Sequence, residues 1–388
     1  MNVKQIYELV NGISKEILGD NFTLQEDLRN VVDFGDALFN ANAVDNYVHK
    51  LIDRIGRVII SDRVYDIEAF KGVIRDGWEF GSVAQKICST ELIEAQENPT
   101  WNLTQGASVD PNIFKGIEGV SVKFYNTKTT LEVDISITEI QLKESFTDAS
   151  TMNRFISFIH NEINKSLTVK TEAMIMRAVN ALIAETLYTE YPSADYSTKS
   201  GVRAVNLLYL YNQKFGTQLT KDKALVTPEF IRFASQQIAI YSTRMKRLSK
   251  VFNIGGTPKF TPKRLQRLAV LTDFMQASTV YLQADTYHKE LVQIPDFAEE
   301  VAYWQTTGTA FAFDDISKIN VITPNNHTVT CNGVLAVLYD YEALAVCNEN
   351  SRVKTNYNGR GEFMNEFHKV DCSYLADTNE NFVVFFIA

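Results

Sequence analysis

VSVKFYNTKTTLEVDISITEIQLKESFTDASTMNRFISFIHNEINKSLTVKTEAMIMRAVNALIAETLYTEY, residues 120–191, holds no glycine and no proline. Its two halves obey different periods. Val120, Val122 and Phe124 share one face of an extended run. Beyond Asn126-Thr127-Lys128-Thr129, Leu131, Val133, Ile135 and Ile137 share another, with Glu132, Asp134 and Ser136 opposite. The two runs read as an antiparallel hairpin or extended ribbon, and without Asn-Gly chemistry the turn type stays open. From Ala149 to Thr189 the period turns helical: Phe155, Ile159, Ile163 and Leu167 are spaced by four, and Ile175, Val179 and Leu182 continue the stripe. An unbroken helix of that length reaches about 60 Å, longer than a small domain is wide. A break or kink would fall at Thr168-Val169-Lys170-Thr171, which is polar and β-branched.

Downstream, Pro192, Ser193 and Gly201 end the long helix. Thr227-Pro228-Glu229 combines an N-cap, an N1 proline and an acidic first turn, predicting a helix to about Lys250. Gly255-Gly256 and Pro258 break it, another helix is expected near Pro262, and strands and loops follow Pro295. The chain closes on Phe382-Val383-Val384-Phe385-Phe386-Ile387, apolar on both faces, as in a strand buried on both sides.

Upstream, glycines and prolines from Gly77 to Gly119 punctuate 78–119 as loop and strand. Before it lie amphipathic helical patterns. Val3, Ile6, Tyr7, Val10, Ile13 and Ile17 form one stripe, Thr23-Leu24-Gln25-Glu26 matches a capping box, and a third pattern runs from Ala43 to Arg57. Such helices bury their stripes either in an ordinary helical subdomain or as an arm on another subunit.

The 388 residues, 45% hydrophobic and 22% charged, suit two or three cores and exclude wholesale disorder. A formal charge of −9 argues against sequence-specific nucleic-acid binding, which needs net basic surface, but is compatible with merely enclosing nucleic acid. Four isolated cysteines, no signal-peptide pattern and no membrane-length apolar run predict a protein made and used in the cytosol, or in something assembled there.

No catalytic signature emerges. His49, His160, His288, His327 and His368 are scattered outside metal-binding spacings, with Asp285-Thr286-Tyr287-His288 reading better as a solvated helix face. Asp314-Asp315 and Glu299-Glu300 read as turns or caps rather than acid/base dyads. No catalytic, cofactor-binding or metal-binding residue is therefore assigned. One charge feature does stand out. Between Phe230 and Thr272 no acidic residue occurs, while Arg232, Arg244, Lys246, Arg247, Lys250, Lys259, Lys263, Arg264 and Arg267 are all basic. This is either a solvated face or a patch meeting acidic neighbours or packaged nucleic acid.

Several pieces together resemble a family. They are Glu79 through Ile87, Ser145-Phe146-Thr147-Asp148 before the long helix, Val251-Phe252-Asn253, and Gly333 through Val337 with Tyr339 through Leu344. Thr355 through Asn358 with Glu362-Phe363, and Asn379 through Phe385, complete the set. Their order resembles the head-shell proteins of tailed bacteriophages, the Hong Kong 97-type capsid fold, especially those of phages of Gram-positive and gut bacteria.

The resemblance implies an α+β fold. Its parts would be a helical N-terminal arm and start of a peripheral domain (1–77), an extended two-stranded loop (78–140), a spine helix (141–199), an axial domain (200–330) and C-terminal strands (331–388). It implies a non-enzymatic subunit assembling with itself into pentamers and hexamers of an icosahedral head around double-stranded DNA. Scaffold and portal proteins would be its partners, with assembly in the host cytoplasm, residence in the virion and no membrane contact. Some members cross-link Lys to Asn between subunits; Lys123, Lys128, Asn356 and Asn358 are of suitable type, and none is assigned. An encapsulin-like compartment shell, another phage structural protein such as a tail component, and a cytosolic enzyme with an unrecognised site are the competing readings.

Overall fold

The chain divides into two compact units, Met1–Arg63 and Val64–Ala388. The computed structural model describes, in the second, residues 66–67, 69–75, 84–92, 119–125, 128–138, 149–283, 298–305, 312–323 and 326–388, with isolated residues besides. The three N-terminal helical patterns, the Asn126-Thr127 turn, Ser145–Asp148, Asp285–His288 and most of 78–119 lie outside the described residues.

In chain order the second unit runs β1 (Ala84–Ser89), β2 (Val120–Tyr125), β3 (Lys128–Thr138), α1 (Ala149–Glu190), β4 (Ala204–Asn206), α2 (Leu207–Phe215), α3 (Lys221–Ala224) and α4 (Pro228–Arg244). It continues β5 (Gln266–Leu271), α5 (Thr272–Gln283), β6 (Ala298–Val301), α6 (Phe313–Ile316), β7 (Ile319–Ile322) and β8 (Thr328–Cys331). The last elements are β9 (Val334–Asp340), β10 (Leu344–Asn358), β11 (Phe363–Ala376) and β12 (Phe382–Phe386). Among the described residues no helix is long and apolar enough to cross a membrane.

Helix α1 is unbroken over 42 residues, about 63 Å at ~1.5 Å per residue. The polar run Thr168–Thr171, where a break would have fallen, does not interrupt it. Thr168 Oγ1 donates to the Asn164 carbonyl at 2.8 Å and Thr171 Oγ1 to that of Leu167 at 3.0 Å, so both hydroxyls are satisfied one turn back. Its second half carries Ile175, Val179, Leu182, Ile183 and Leu187 into the core. The C-terminus is locked to the segment leading into β4: the Glu190 carboxylate accepts from Val202 N at 2.8 Å, Arg203 N at 3.1 Å and Arg203 Nε at 2.9 Å. Gly201 is required there, because a Cβ at that position would collide with the same carboxylate.

The centre of the unit is a five-stranded sheet ordered β4-β12-β9-β5-β6. β12 pairs in parallel with β4 and antiparallel with β9. Phe382, Val384 and Phe386 enter the core beneath α1, together with Trp304 and Tyr339, while Val383, Phe385 and Ile387 enter a second core lined by α2, α4 and Phe274 of α5. The expected two-sided burial of this strand is what alternation of unbroken apolar sequence produces.

Three expectations fail, each for an identifiable reason. The runs of 120–124 and 131–137 do not pair with each other: β2 pairs with β1, and β3 pairs with β11 in a second sheet ordered β10-β11-β3. Nearness in sequence favoured a hairpin, but β11 offers β3 an eleven-residue ladder from Phe363↔Thr138 to Ser373↔Lys128. The helix expected near Pro262 is a 3-10 turn at Lys263–Leu265 leading into strand β5, buried on both faces between β9 and β6. A short run apolar on both faces has no period with which to tell strand from helix. Helix α4 begins where expected but stops at Arg244, and the Thr227 hydroxyl donates back to the Lys223 carbonyl at 2.8 Å instead of capping it.

Candidate assembly interface

The two-stranded sheet of β1 and β2 is built inside out. Register sets Ile87 opposite Val122, Ser89 opposite Val120 and Gln85 opposite Phe124. Cross-strand partners share a face. That face is exposed, Phe124 by 65% and Ile87 by 63%. The alternate face carries Lys86, Cys88, Lys123 and Tyr125, and it turns inward against the loop between β11 and β12. A strand pair covering its own core would do the reverse, apolar in and lysine out.

Two lysines directly opposite, Lys86 and Lys123, would repel if left alone. Asp377 separates them: Oδ2 lies 2.9 Å from Lys86 Nζ and Oδ1 lies 3.0 Å from Lys123 Nζ. Glu380 Oε1 is 2.8 Å from Lys86 Nζ and 2.9 Å from Lys259 Nζ. Lys86 also donates to the Glu342 carbonyl at 3.2 Å, and Lys123 to the Thr378 hydroxyl at 3.3 Å. Three ammonium groups thus surround two carboxylates in a largely dehydrated site.

Burial by itself would raise the Asp377 carboxyl, but hydrogen bonds from Lys86, the Asn379 N–H and Lys123, with the Lys86 charge, hold it down at about 2. Burial would lower Lys86, and its bonds to Glu380 and Asp377 outweigh that and raise it. Burial, then the Asp377 charge, push the Tyr125 phenol up. A buried ion cluster of this kind is weak as a source of stability and strong as a device that fixes register.

The cluster stands on a buried polar network. Asn253 Nδ2 donates to the Thr257 carbonyl at 2.8 Å and to Asn381 Oδ1 at 3.3 Å, and Thr257 Oγ1 donates to the Asn379 carbonyl at 3.0 Å. Thr261 Oγ1 donates to Asp340 Oδ2 at 2.6 Å and accepts from Asn381 Nδ2 at 3.1 Å. Burial raises the Asp340 carboxyl despite the Thr261 and Glu342 hydrogen bonds that favour its charged form. Sequence pieces far apart in the chain (Lys86, Phe252-Asn253, Asp340 and Asn379 through Phe382) therefore meet at the root of one ribbon.

The basic stretch divides. Lys259 is consumed by the cluster, and Arg267 stacks on the Tyr341 ring at 5.1 Å beside Arg75 at 4.3 Å. Arg244, Lys246, Arg247 and Lys250 are exposed on and just beyond the end of α4. Asp314 and Asp315 sit in the first turn of α6, where a cap was expected, with Asp314 bridged to Lys221. Glu299 and Glu300, read as a turn or cap, lie instead in strand β6, where Glu299 accepts from Phe70 N at 2.7 Å. His327 stacks on Tyr188 at 4.3 Å, and His160 and His368 come together with Glu366. His49 and His288 lie outside the described residues. Of the cross-linking types, Lys123 is held by Asp377, and Asn358 Oδ1 accepts from Arg360 N and Gly361 N. Asn356 and Lys128 lie in strand ladders opposite Asn365 and Ser373. Asp377, the hub of the ribbon's root, carries no catalytic or binding signature in the sequence; its one signal was membership of a turn-like Asp-Thr-Asn-Glu run.

A family model described as Phi29-like phage major capsid protein matches residues 10–386. The major capsid protein of Bacillus phage GA-1 is 24% identical over 174 residues, 44% of this chain and 35% of the relative. The match spans about a third of that relative's length. Among solved structures, a chain from the capsid structure of Staphylococcus phage Andhra is 10% identical, with a TM-score of 0.52 over 86% of this chain and 88% of the other. A chain from the structure of the head fibre and inner core protein gp22 of native bacteriophage P68 gives a TM-score of 0.52 at 10% identity, over 86% of this chain and 87% of the other.

Proposed function

The chain belongs to the Phi29-like phage major capsid protein family, and from that premise we propose that the β1–β2 ribbon is the clamp by which one subunit grips the next in the head shell. The fold is α+β of the Hong Kong 97 type, the role is structural, the place is the virion, and the compartment-shell reading is not favoured. What carries the proposal is the inverted ribbon. Its charged face is fastened to its own subunit, and among the described residues its apolar face stays exposed.

Fully burying an apolar side chain of this size contributes roughly 1.5–3 kcal/mol. Ile87, Val122 and Phe124, already partly covered, would supply less than that each, repeated at every subunit contact. Weak contacts repeated many times suit a shell that closes by heterologous, ring-forming interfaces. In this reading copies form pentamers and hexamers of an icosahedral head enclosing double-stranded DNA without sequence-specific contacts. Scaffold and portal proteins assist, assembly takes place in the host cytoplasm, and the subunit catalyses nothing and touches no membrane.

The parts are then an N-terminal arm and start of the peripheral domain (1–77), an extended loop (78–140), a spine (141–199), an axial domain (200–330) and C-terminal strands (331–388). β3 joins the peripheral sheet of β10 and β11. The exposed basic residues after α4 are proposed to meet acidic neighbours or the enclosed DNA. The test is electron microscopy of the purified chain, alone and co-expressed with its phage's scaffold. Closed shells or ring-shaped capsomers are expected, and a chain that stays monomeric under both conditions contradicts the proposal.

A further inference from the structure

Two histidines and a glutamate from distant parts of the chain converge where α1 crosses the sheet of β10, β11 and β3. Glu366 and His368 are two apart on β11, so both point to one face. α1 packs against β11, and His160 of α1 meets the pair with its ring centroid 5.7 Å from that of His368, edge to face. The donor atoms of His160, Glu366 and His368 all lie within 4.8 Å of one another, and His368 Nε2 is 3.1 Å from Glu366 Oε2.

We propose that His160, Glu366 and His368 form a binding site for a divalent transition-metal ion of the zinc class, fastening the spine helix to the sheet. Four ligands at about 2.0–2.1 Å around a tetrahedral ion stand roughly 3.4 Å apart. The Glu366–His368 separation already has that span, and side-chain rotation of His160 brings in the third donor. Two imidazoles and one carboxylate are a donor set for zinc and its neighbours, whereas calcium and magnesium take oxygen ligands. A fourth position faces water, since His160 is exposed.

The surroundings favour the same reading. The cross-strand partners of Glu366 are Ile135 and Thr355, and those of His368 are Val133 and Val353. None carries a charge that would compete for the carboxylate. The location also gives the ion something to do. The continuous core on α1 begins at Ile175; ahead of it, among the described side chains, Ile163 is buried while Phe158, Ile159 and Leu167 are half-buried. A metal bridge at His160 would add to the hold of the sheet on this part of the helix.

The experiment uses the full chain, stripped with chelator and titrated with zinc chloride by calorimetry, with thermal unfolding followed alongside and cobalt(II) as a spectroscopic probe. Expected are saturable uptake of one ion per chain, a higher unfolding temperature with zinc, and a visible cobalt spectrum of low coordination number. His160→Ala and His368→Ala should each weaken zinc binding at least tenfold, on the scale by which even outer-shell changes act. His160 is exposed, so its variant should unfold like wild type in chelator, separating lost metal from lost fold. Zinc binding unchanged in the His160→Ala, His368→Ala double variant would overturn the proposal. Uptake absent below millimolar zinc, or equal stabilisation by calcium and magnesium, would overturn it too.

Discussion

Replacing Asp377 with alanine removes the carboxylate that keeps Lys86 and Lys123 from facing each other unscreened. Breaking a buried ion pair from one side costs about 3–5 kcal/mol, because the abandoned charge stays dehydrated. Asp377 is fully buried and Lys86 only 18% exposed, but Lys123 at 34% recovers water. The loss therefore falls near the lower end, about 3 kcal/mol. The Asn379 N–H, which donates to Asp377 Oδ1 at 3.0 Å, loses its acceptor as well, adding about 1 kcal/mol. A total of about 4 kcal/mol is a large share of a domain's usual 5–15. Asp377→Asn keeps the shape and the Asn379 bond and should lose about 1 kcal/mol less. Urea unfolding of unassembled chain measures both, and limited proteolysis reports whether the ribbon has come loose from the body. A loss under 1 kcal/mol for the alanine variant, with the ribbon no more protease-sensitive than before, would refute the claim that this cluster seats the ribbon.

Acid should erase the same difference. The folded Asp377 pKa lies at about 2, below its ordinary value, so its contribution is fully present above about pH 5 and lost as pH falls through about 2. The stability gap between wild type and Asp377→Asn should shrink accordingly; a gap that widens in acid contradicts the assignment. Phe385, fully buried and set edge to face against Tyr241 at 5.4 Å, should lose about 3–5 kcal/mol on Phe385→Ala, giving insoluble or unassembled protein; a soluble, shell-forming variant contradicts the two-sided burial of β12. Charge reversal at Arg244, Lys246 and Arg247 should lower assembly yield while leaving helicity intact, and wild-type assembly should weaken with salt, since exposed charges are screened over about 8–10 Å; yields indifferent to both return these residues to a solvated face.

The long helix and the last strand were legible because each repeats one rule. α1 keeps its apolar stripe over many turns, and β12 is apolar at every position. The pairing of β2 was not, since its partner at 84–89 lies beyond a long intervening segment, and alternation tells which side chains share a face but not which strand lies alongside. β5 failed for the opposite reason: apolar on both sides, it carries no period at all. The ribbon's inversion was half visible. Val120, Val122 and Phe124 plainly share a face, but only contact with Asp377 reveals that the lysine face is the inner one. The meeting of His160 with His368 was hidden by distance along the chain, for neither residue has a ligand-spaced neighbour except Glu366, whose two-residue offset is common on any strand.

The apolar face of the ribbon is the surface proposed to join subunits, and it can be altered without touching the core. Ile87→Ser, Val122→Ser and Phe124→Ser, combined in one chain, change exposed positions only and should leave the subunit folded, with unchanged unfolding temperature. Electron micrographs of that variant, expressed beside wild type under identical conditions, are predicted to show dispersed subunits or open fragments where wild type gives closed shells. Closed shells of normal size and yield from the triple variant would contradict the central claim.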